Sequence, residues 1–218
     1  LLHRWMAPGG TGVPPAYRQI AFGRGTVTAA RFAADGQTMA YSAEWDGRPP
    51  AVYTRRLDAP DAPPRKVRDG TLVAVAGGEM AVLLPGGTLA RVPLAGGPTR
   101  EIAREVAFAD WGGDDEFVVV RWSQGQSQAE WPIGRVVYRA PGAGGLFEPR
   151  LSPDRDAVAL LEAKQPPFLT SVVRVERSGR AHALASTGLV ARGLAWSPEG
   201  HEIWFNGGPH EWAGDVRA

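Results

Sequence analysis

One pattern is written into this chain five times: an apolar strand closing on a bulky residue, a tight turn built on Asp or Gly, then a second apolar strand. The clearest copies begin at Ala30, Arg150 and Leu194, and weaker ones begin at Ala74 and Ala109. Aligning Asp35, Gly78, Asp114, Asp154 and Glu199 gives steps of about 43, 36, 40 and 45 residues, the length of one four-stranded blade in a radial repeat fold. Short runs with period-two alternation are strand signals, and nothing helical has this period.

The expected class is therefore all-β: a β-propeller of about five visible four-stranded blades, over residues 29–68, 71–103, 106–142, 147–186 and 191–218. Residues 1–16 are rich in Pro and Gly without periodicity and read as a linker, which leaves 17–218 as the propeller domain. Tyr17–Phe22 resembles the outer strand of a blade that is otherwise missing. Two closures stay open. That strand could clasp the last blade into a five-bladed ring, or the chain could be a fragment of a larger ring. The open edge left by a last strand cut short at 215–218 favours the second.

Within each repeat, strand a ends at Phe32, Trp111, Leu151 or Trp196, bulky residues suited to fill the space between blades. The turns that follow use Asp35 and Gly36, Asp154, or Glu199 and Gly200. Pro presets φ, Asp accepts from nearby amides, and Gly takes positive φ. Strand b follows at 38–42, 79–84, 116–121, 157–162 and 202–206. Strand c is expected at 51–57, 88–94, 135–139 and 171–176.

The chemistry that composition excludes is broad. There is no Cys, so disulfides, thiolate catalysis and zinc ribbons are ruled out. With 24 basic against 23 acidic residues, scattered along the chain, no nucleic-acid footprint is visible. No apolar run is long enough to span a bilayer, so any membrane attachment would come from upstream sequence. The stretch Gly125-Gln126-Ser127-Gln128-Ala129 fails the nucleophile-elbow pattern at its last position, and no His-Glu-x-x-His pair exists for zinc. Asp114, Asp115, Asp154 and Asp156 lack calcium-loop spacing. No catalytic residue, metal or cofactor is expected. The segment reads as a non-enzyme.

What remains is a surface. In a blade the a-to-b turns lie on one face, and the b-to-c loops lie on the other. The second face is expected to carry 43–50, 122–134, 163–170 and 207–214, with Trp45, Asp46, Arg48, Trp122, Glu130, Trp131, Phe168, His210 and Trp212 as candidate contacts for a protein or small ligand. Aromatics and Arg on loops of a rigid scaffold suit recognition.

The motifs Ser152-Pro153-Asp154 and Ser197-Pro198-Glu199-Gly200, with the degenerate Ala33-Ala34-Asp35-Gly36, resemble the TolB-like and WD40-like propeller repeats of bacteria, over residues 17–218. The runs 24–32, 41–50 and 87–97 are also similar to the C-terminal propeller of membrane-anchored bacterial serine/threonine protein kinases. That resemblance implies a sensor or interaction module on the extracytoplasmic face of a bacterial inner membrane. Two alternatives from other classes stay open. One is the substrate-gating propeller of a prolyl-oligopeptidase-like hydrolase, and the other is a periplasmic TolB-like envelope protein.

Overall fold

Each repeat begins with a strand whose alternating side chains must be covered on both faces, so the sheets stack against one another. The computed structural model describes residues 19–21, 23–164, 169–186, 190–210 and 213–217. The first sheet is β1 (Gly25–Phe32), β2 (Thr38–Trp45), β3 (Ala51–Arg56) and β4 (Arg65–Asp69). The second is β5 (Thr71–Ala76), β6 (Glu79–Leu84), β7 (Thr88–Pro93) and β8 (Arg100–Ala103). The third is β9 (Phe108–Trp111), β10 (Phe117–Ser123), β11 (Gln126–Glu130) and β12 (Val136–Arg139). The fourth is β13 (Gly145–Leu151), β14 (Ala157–Lys164), β15 (Leu169–Glu176) and β16 (Ala181–Ser186). The fifth is β17 (Val190–Trp196), β18 (Ile203–His210) and β19 (Ala213–Arg217).

All five sheets are antiparallel meanders in sequence order. Among the described residues four have four strands and the last has three, the fifth being the sheet whose third strand was expected to be cut short. The inner strands pack in series, β1 on β5, β5 on β9, β9 on β13 and β13 on β17. The core fills the seams between sheets. Between the third and fourth lie Val118, Val120, Ala129, Trp131, Leu146, Val158, Leu160, Val173 and Val175, all buried. Trp111 stacks on Phe117 at 5.3 Å between centroids in the seam with the second sheet. Phe32 departs from its expected seam-filling role: it stands 62% exposed at the end of β1.

The third sheet also departs from expectation in its strands. Residues 135–139, read as its third strand, belong to the outermost strand β12, and the third strand is β11 at 126–130. The Gln-rich stretch looked like loop because its polarity hides the alternation: Ser127 and Ala129 are fully buried. Ser127 Oγ accepts from the Leu146 amide at 3.1 Å, and Gln126 donates to the Ala140 carbonyl at 2.8 Å. The polar side chains are satisfied by backbone groups, Ser127 across the seam to the fourth sheet and Gln126 at the outer edge of its own. Gln124 and Gly125, at φ 52° and 76°, make the two-residue turn that a tight hairpin requires.

The repeated turns are held by side chains. Asp35 Oδ1 accepts from the Gln37 and Thr38 amides at 2.9 and 2.7 Å. In the fourth and fifth repeats the buried Ser152 and Ser197 do this work. Ser152 Oγ accepts from the Asp156 and Ala157 amides at 3.2 and 3.0 Å, and Ser197 Oγ accepts from the His201 and Glu202 amides at 3.2 Å each. Gly36 and Gly200 sit at φ 64° and 76° in these turns.

Candidate functional site

Strand direction decides which residues share a face. In a meander, b-to-c connections lie at one end of the sheet, while a-to-b and c-to-d connections lie at the other. Trp45 ends β2, Asp46 and Arg48 follow it, and Trp122 lies near the end of β10, so these four belong to the loop face. Trp122 is 51% exposed, Trp45 is half-buried, and Asp46 and Arg48 are exposed. Asp46 takes φ 54°, and its amide donates to the Arg24 carbonyl at 2.8 Å, which fixes the tip of that loop. His210 ends β18. Phe168 and Trp212 lie outside the described residues.

Trp131 and Glu130 do not join that face. Glu130 ends β11 and Trp131 follows it, so they lead into a c-to-d connection on the turn face. Trp131 is 1% exposed. Its Nε1 donates to Glu116 Oε1 at 2.6 Å, and the Arg177 guanidinium lies 4.0 Å over its ring while pairing with Glu116. Glu130 is buried too, paired with Arg121 at 3.2 Å and accepting from the Gly134 amide at 2.9 Å. Both are parts of the seam.

A second concave region lies along the inner strands. The residue preceding the bulky end of strand a falls at one level in every repeat: Arg31, Ala74, Asp110, Arg150 and Ala195. All five line a cleft of about 540 Å³ toward the turn face, together with Trp111 and Trp196. A cleft of about 570 Å³ opens toward the loop face, lined by Thr28, Thr71, Phe108 and Glu148 among others. Arg31, Arg150 and Gly193 line both, so they mark the waist between the two.

The inner strands owe this geometry to bulges. Register shifts interrupt β1, β5, β13 and β17 against their partners, and the extra residues re-aim neighbouring side chains toward the axis. Glu148, at φ 46°, and Gly193, at φ 68°, occupy two of these bulges. The outer edge of each inner strand is paired, but its inner edge is not. Carboxylates cap some of those bare amides: Asp110 Oδ2 accepts from Leu151 at 2.8 Å, and Glu148 Oε2 from Gly193 at 2.9 Å.

Burial pushes the Asp110 carboxyl above its ordinary range, against the pull of Arg150 and Arg31. Burial, then the like charge of Arg150, lowers the Arg31 guanidinium from its ordinary value. None of these four charged residues stood out in the sequence. The usable signal was positional, one residue before the bulky strand end in each repeat. Among the described residues no group of three or more His, Asp or Glu side chains is placed to hold a metal ion.

No family model matches this chain, and no curated protein matches it. Solved structures do. TolB from Acinetobacter baumannii is similar with a TM-score of 0.69 at 15% identity, over 88% of this chain and 51% of that one. The fold is that of a β-propeller. The propeller domain of the Trilobed protease from Pyrococcus furiosus is similar at TM-score 0.54 and 12% identity, covering 88% of this chain and 68% of that one. A prolyl endopeptidase structure is similar at TM-score 0.51 and 14% identity, covering 81% of this chain and 30% of that one. The propeller described here spans about half the length of the TolB chain. At these identities the likeness concerns the fold, and propellers host unrelated functions.

Proposed function

We propose that this propeller is a non-catalytic recognition module that binds a protein or small ligand on its loop face. The observation carrying this reading is that Trp122 stands half-exposed on the loop face, where Arg48 is also exposed and free of ion pairs among the described residues. On the turn face Trp131, Glu130, Ser152 and Ser197 are buried and bonded to the scaffold, and the exposed aromatics there, Phe32 and Trp204, belong to the first and last sheets. Exposed Trp and Arg side chains are the residue types enriched at interface hot spots. A sensor role beside a bacterial serine/threonine kinase, outside the inner membrane, is the finer reading. It is supported by the sequence resemblance at 24–32, 41–50 and 87–97.

A second reading is a propeller that gates access to a hydrolase. Its support is the likeness to the prolyl endopeptidase and Trilobed protease structures.

Pull-down with the intact chain, followed by hydrogen exchange on the complex, tests the proposal. Protection is expected at 43–50 and 122–126. Protection confined to 33–38, 131–135 and 152–157 would move recognition to the turn face. Peptide or ester cleavage by the purified chain, lost on replacing one residue, would make it an enzyme.

A further inference from the structure

We propose that the waist of the axial channel binds a single carboxylate group between the guanidinium groups of Arg31 and Arg150. This site is separate from the loop face and does not rest on the reading given for it.

Several arginines in the seams hold a carboxylate. Arg91 holds Glu79, Arg177 holds Glu116, and Arg121 holds Glu130. Arg31 and Arg150 differ. Arg31 Nη1 donates to the neighbouring Ala30 carbonyl at 2.8 Å, and Arg150 Nη1 to the Pro149 carbonyl at 2.7 Å. Among the described residues neither forms an ion pair. The two carboxylates on the channel wall are committed to the backbone amides of Leu151 and Gly193. Two like charges therefore share a half-buried waist, attracted by Asp110 and Glu148 without pairing with them, and among the described residues their remaining N–H donors have no protein acceptor. An anion between them would relieve the repulsion and satisfy the donors together.

The surroundings select the anion. A planar carboxylate matches the fork of a guanidinium, and the waist offers two forks. Asp110 and Glu148 flank it from either side and oppose a second negative charge, which disfavours a phosphate dianion. Ala74 and Ala195 occupy the equivalent level in two repeats and leave room there for the bound group. Clefts of about 540 and 570 Å³ on either side of the pair are within the range of small-molecule sites, so the carboxylate can belong to a free organic acid or to the end of a peptide.

The experiment uses the intact chain at low salt and pH 7.5, by calorimetric titration with melting curves alongside. The titrants are butyrate, butyramide, N-acetyl-trialanine as the free acid, its C-terminal amide, and inorganic phosphate. Saturable binding of butyrate or of the free-acid peptide is expected, with neither amide binding. Butyrate alone binding identifies an organic acid, and a tighter free-acid peptide identifies a chain terminus.

Arg31→Met and Arg150→Met should each weaken binding at least tenfold, and Arg31→Lys and Arg150→Lys should weaken it less. Each Met variant removes a cation that attracts the buried Asp110 carboxyl, so the melting curves establish that the variant is folded at the temperature of titration; the Lys variants serve as the comparison if a Met variant does not fold. Absence of binding by both acids overturns the proposal. So does binding unchanged in the Met variants, binding of the amides equal to the acids, or phosphate binding as tightly as the carboxylates.

Discussion

Replacing Trp131 by Ala should damage the scaffold and spare recognition, whereas replacing Trp122 should do the reverse. A buried indole removes about 150–250 Å² from water, worth about 4–6 kcal/mol at ~25 cal/mol per Å². Core Trp-to-Ala changes cost about 3–5 kcal/mol in practice. The structure supports that range for Trp131, which is 1% exposed, sandwiched in the seam under Arg177 and bonded to Glu116. Glu116 keeps Arg177 as a partner after the truncation, so no buried carboxylate is left bare. For a domain of this size about 1 kcal/mol moves the melting temperature by about 2–4 °C, which predicts a fall of about 6–20 °C. Trp122 is 51% exposed and forfeits at most about half that burial, about 2 kcal/mol. Calorimetric melts of both variants, with partner binding measured well below the lower melting temperature, separate the roles. A Trp131→Ala protein that melts with the parent and no longer binds would refute the reasoning from burial.

Ser152→Ala removes the acceptor for two amides and should destabilise by about 1–3 kcal/mol, read as a shift in urea midpoint at unchanged slope. Gly200→Val forces a Cβ onto φ 76° and should cost roughly 1 kcal/mol or more by the same assay, with carboxylate and partner binding unchanged. Asp110→Asn keeps an acceptor for the Leu151 amide while removing a charge that burial disfavours. A carboxyl whose folded pKa is raised destabilises the fold as pH climbs past about 3.9, its unfolded value, and through the folded one. The variant should therefore be more stable than the parent at pH 7, with the gap closing below pH ~4. A gap that widens on acidification would show Asp110 to be stabilised by Arg31 and Arg150 instead. Asp35 and Asp154 act in the opposite direction, since side-chain hydrogen bonds from Thr38 and Ser152 lower them, and their contribution is lost as pH falls.

The repeat, the inner-strand ends at Phe32, Trp111, Leu151 and Trp196, and the turn residues could be located in the sequence because local alternation and turn chemistry are encoded within a few residues. The third strand at 126–130 could not. Its Gln and Ser side chains are polar yet bonded to backbone groups of their own and the neighbouring sheet, so hydropathy reads them as loop. That single misassignment turned the chain over and carried Trp131 and Glu130 to the wrong face. Exposure was also beyond reach for Phe32, because whether a strand-end aromatic is covered depends on the neighbouring sheet. The axial charges Arg31, Asp110, Glu148 and Arg150 are about 40 residues or more apart from one repeat to the next, and only the arrangement of the inner strands around a common axis brings them together.

The chain carries two lysines, Lys66 and Lys164, among 24 basic residues, and the seams give the arginines a mechanical purpose. Arg65 reaches the Leu94 and Ala95 carbonyls of the second sheet, at 2.7 and 2.6 Å. Arg91 reaches the Asp114 carbonyl of the third at 3.2 Å, and Arg155 of the fourth reaches back to Gly112 at 2.7 Å. A forked cation can grip a carbonyl while its stem packs in the seam, which a point-like ammonium does less well. These rivets join nearest neighbours only, so the blades form a one-dimensional array in which each junction sets how far a local opening spreads. Cutting one rivet should shorten that cooperative length, letting the sheets on either side open at different denaturant concentrations while each remains intact.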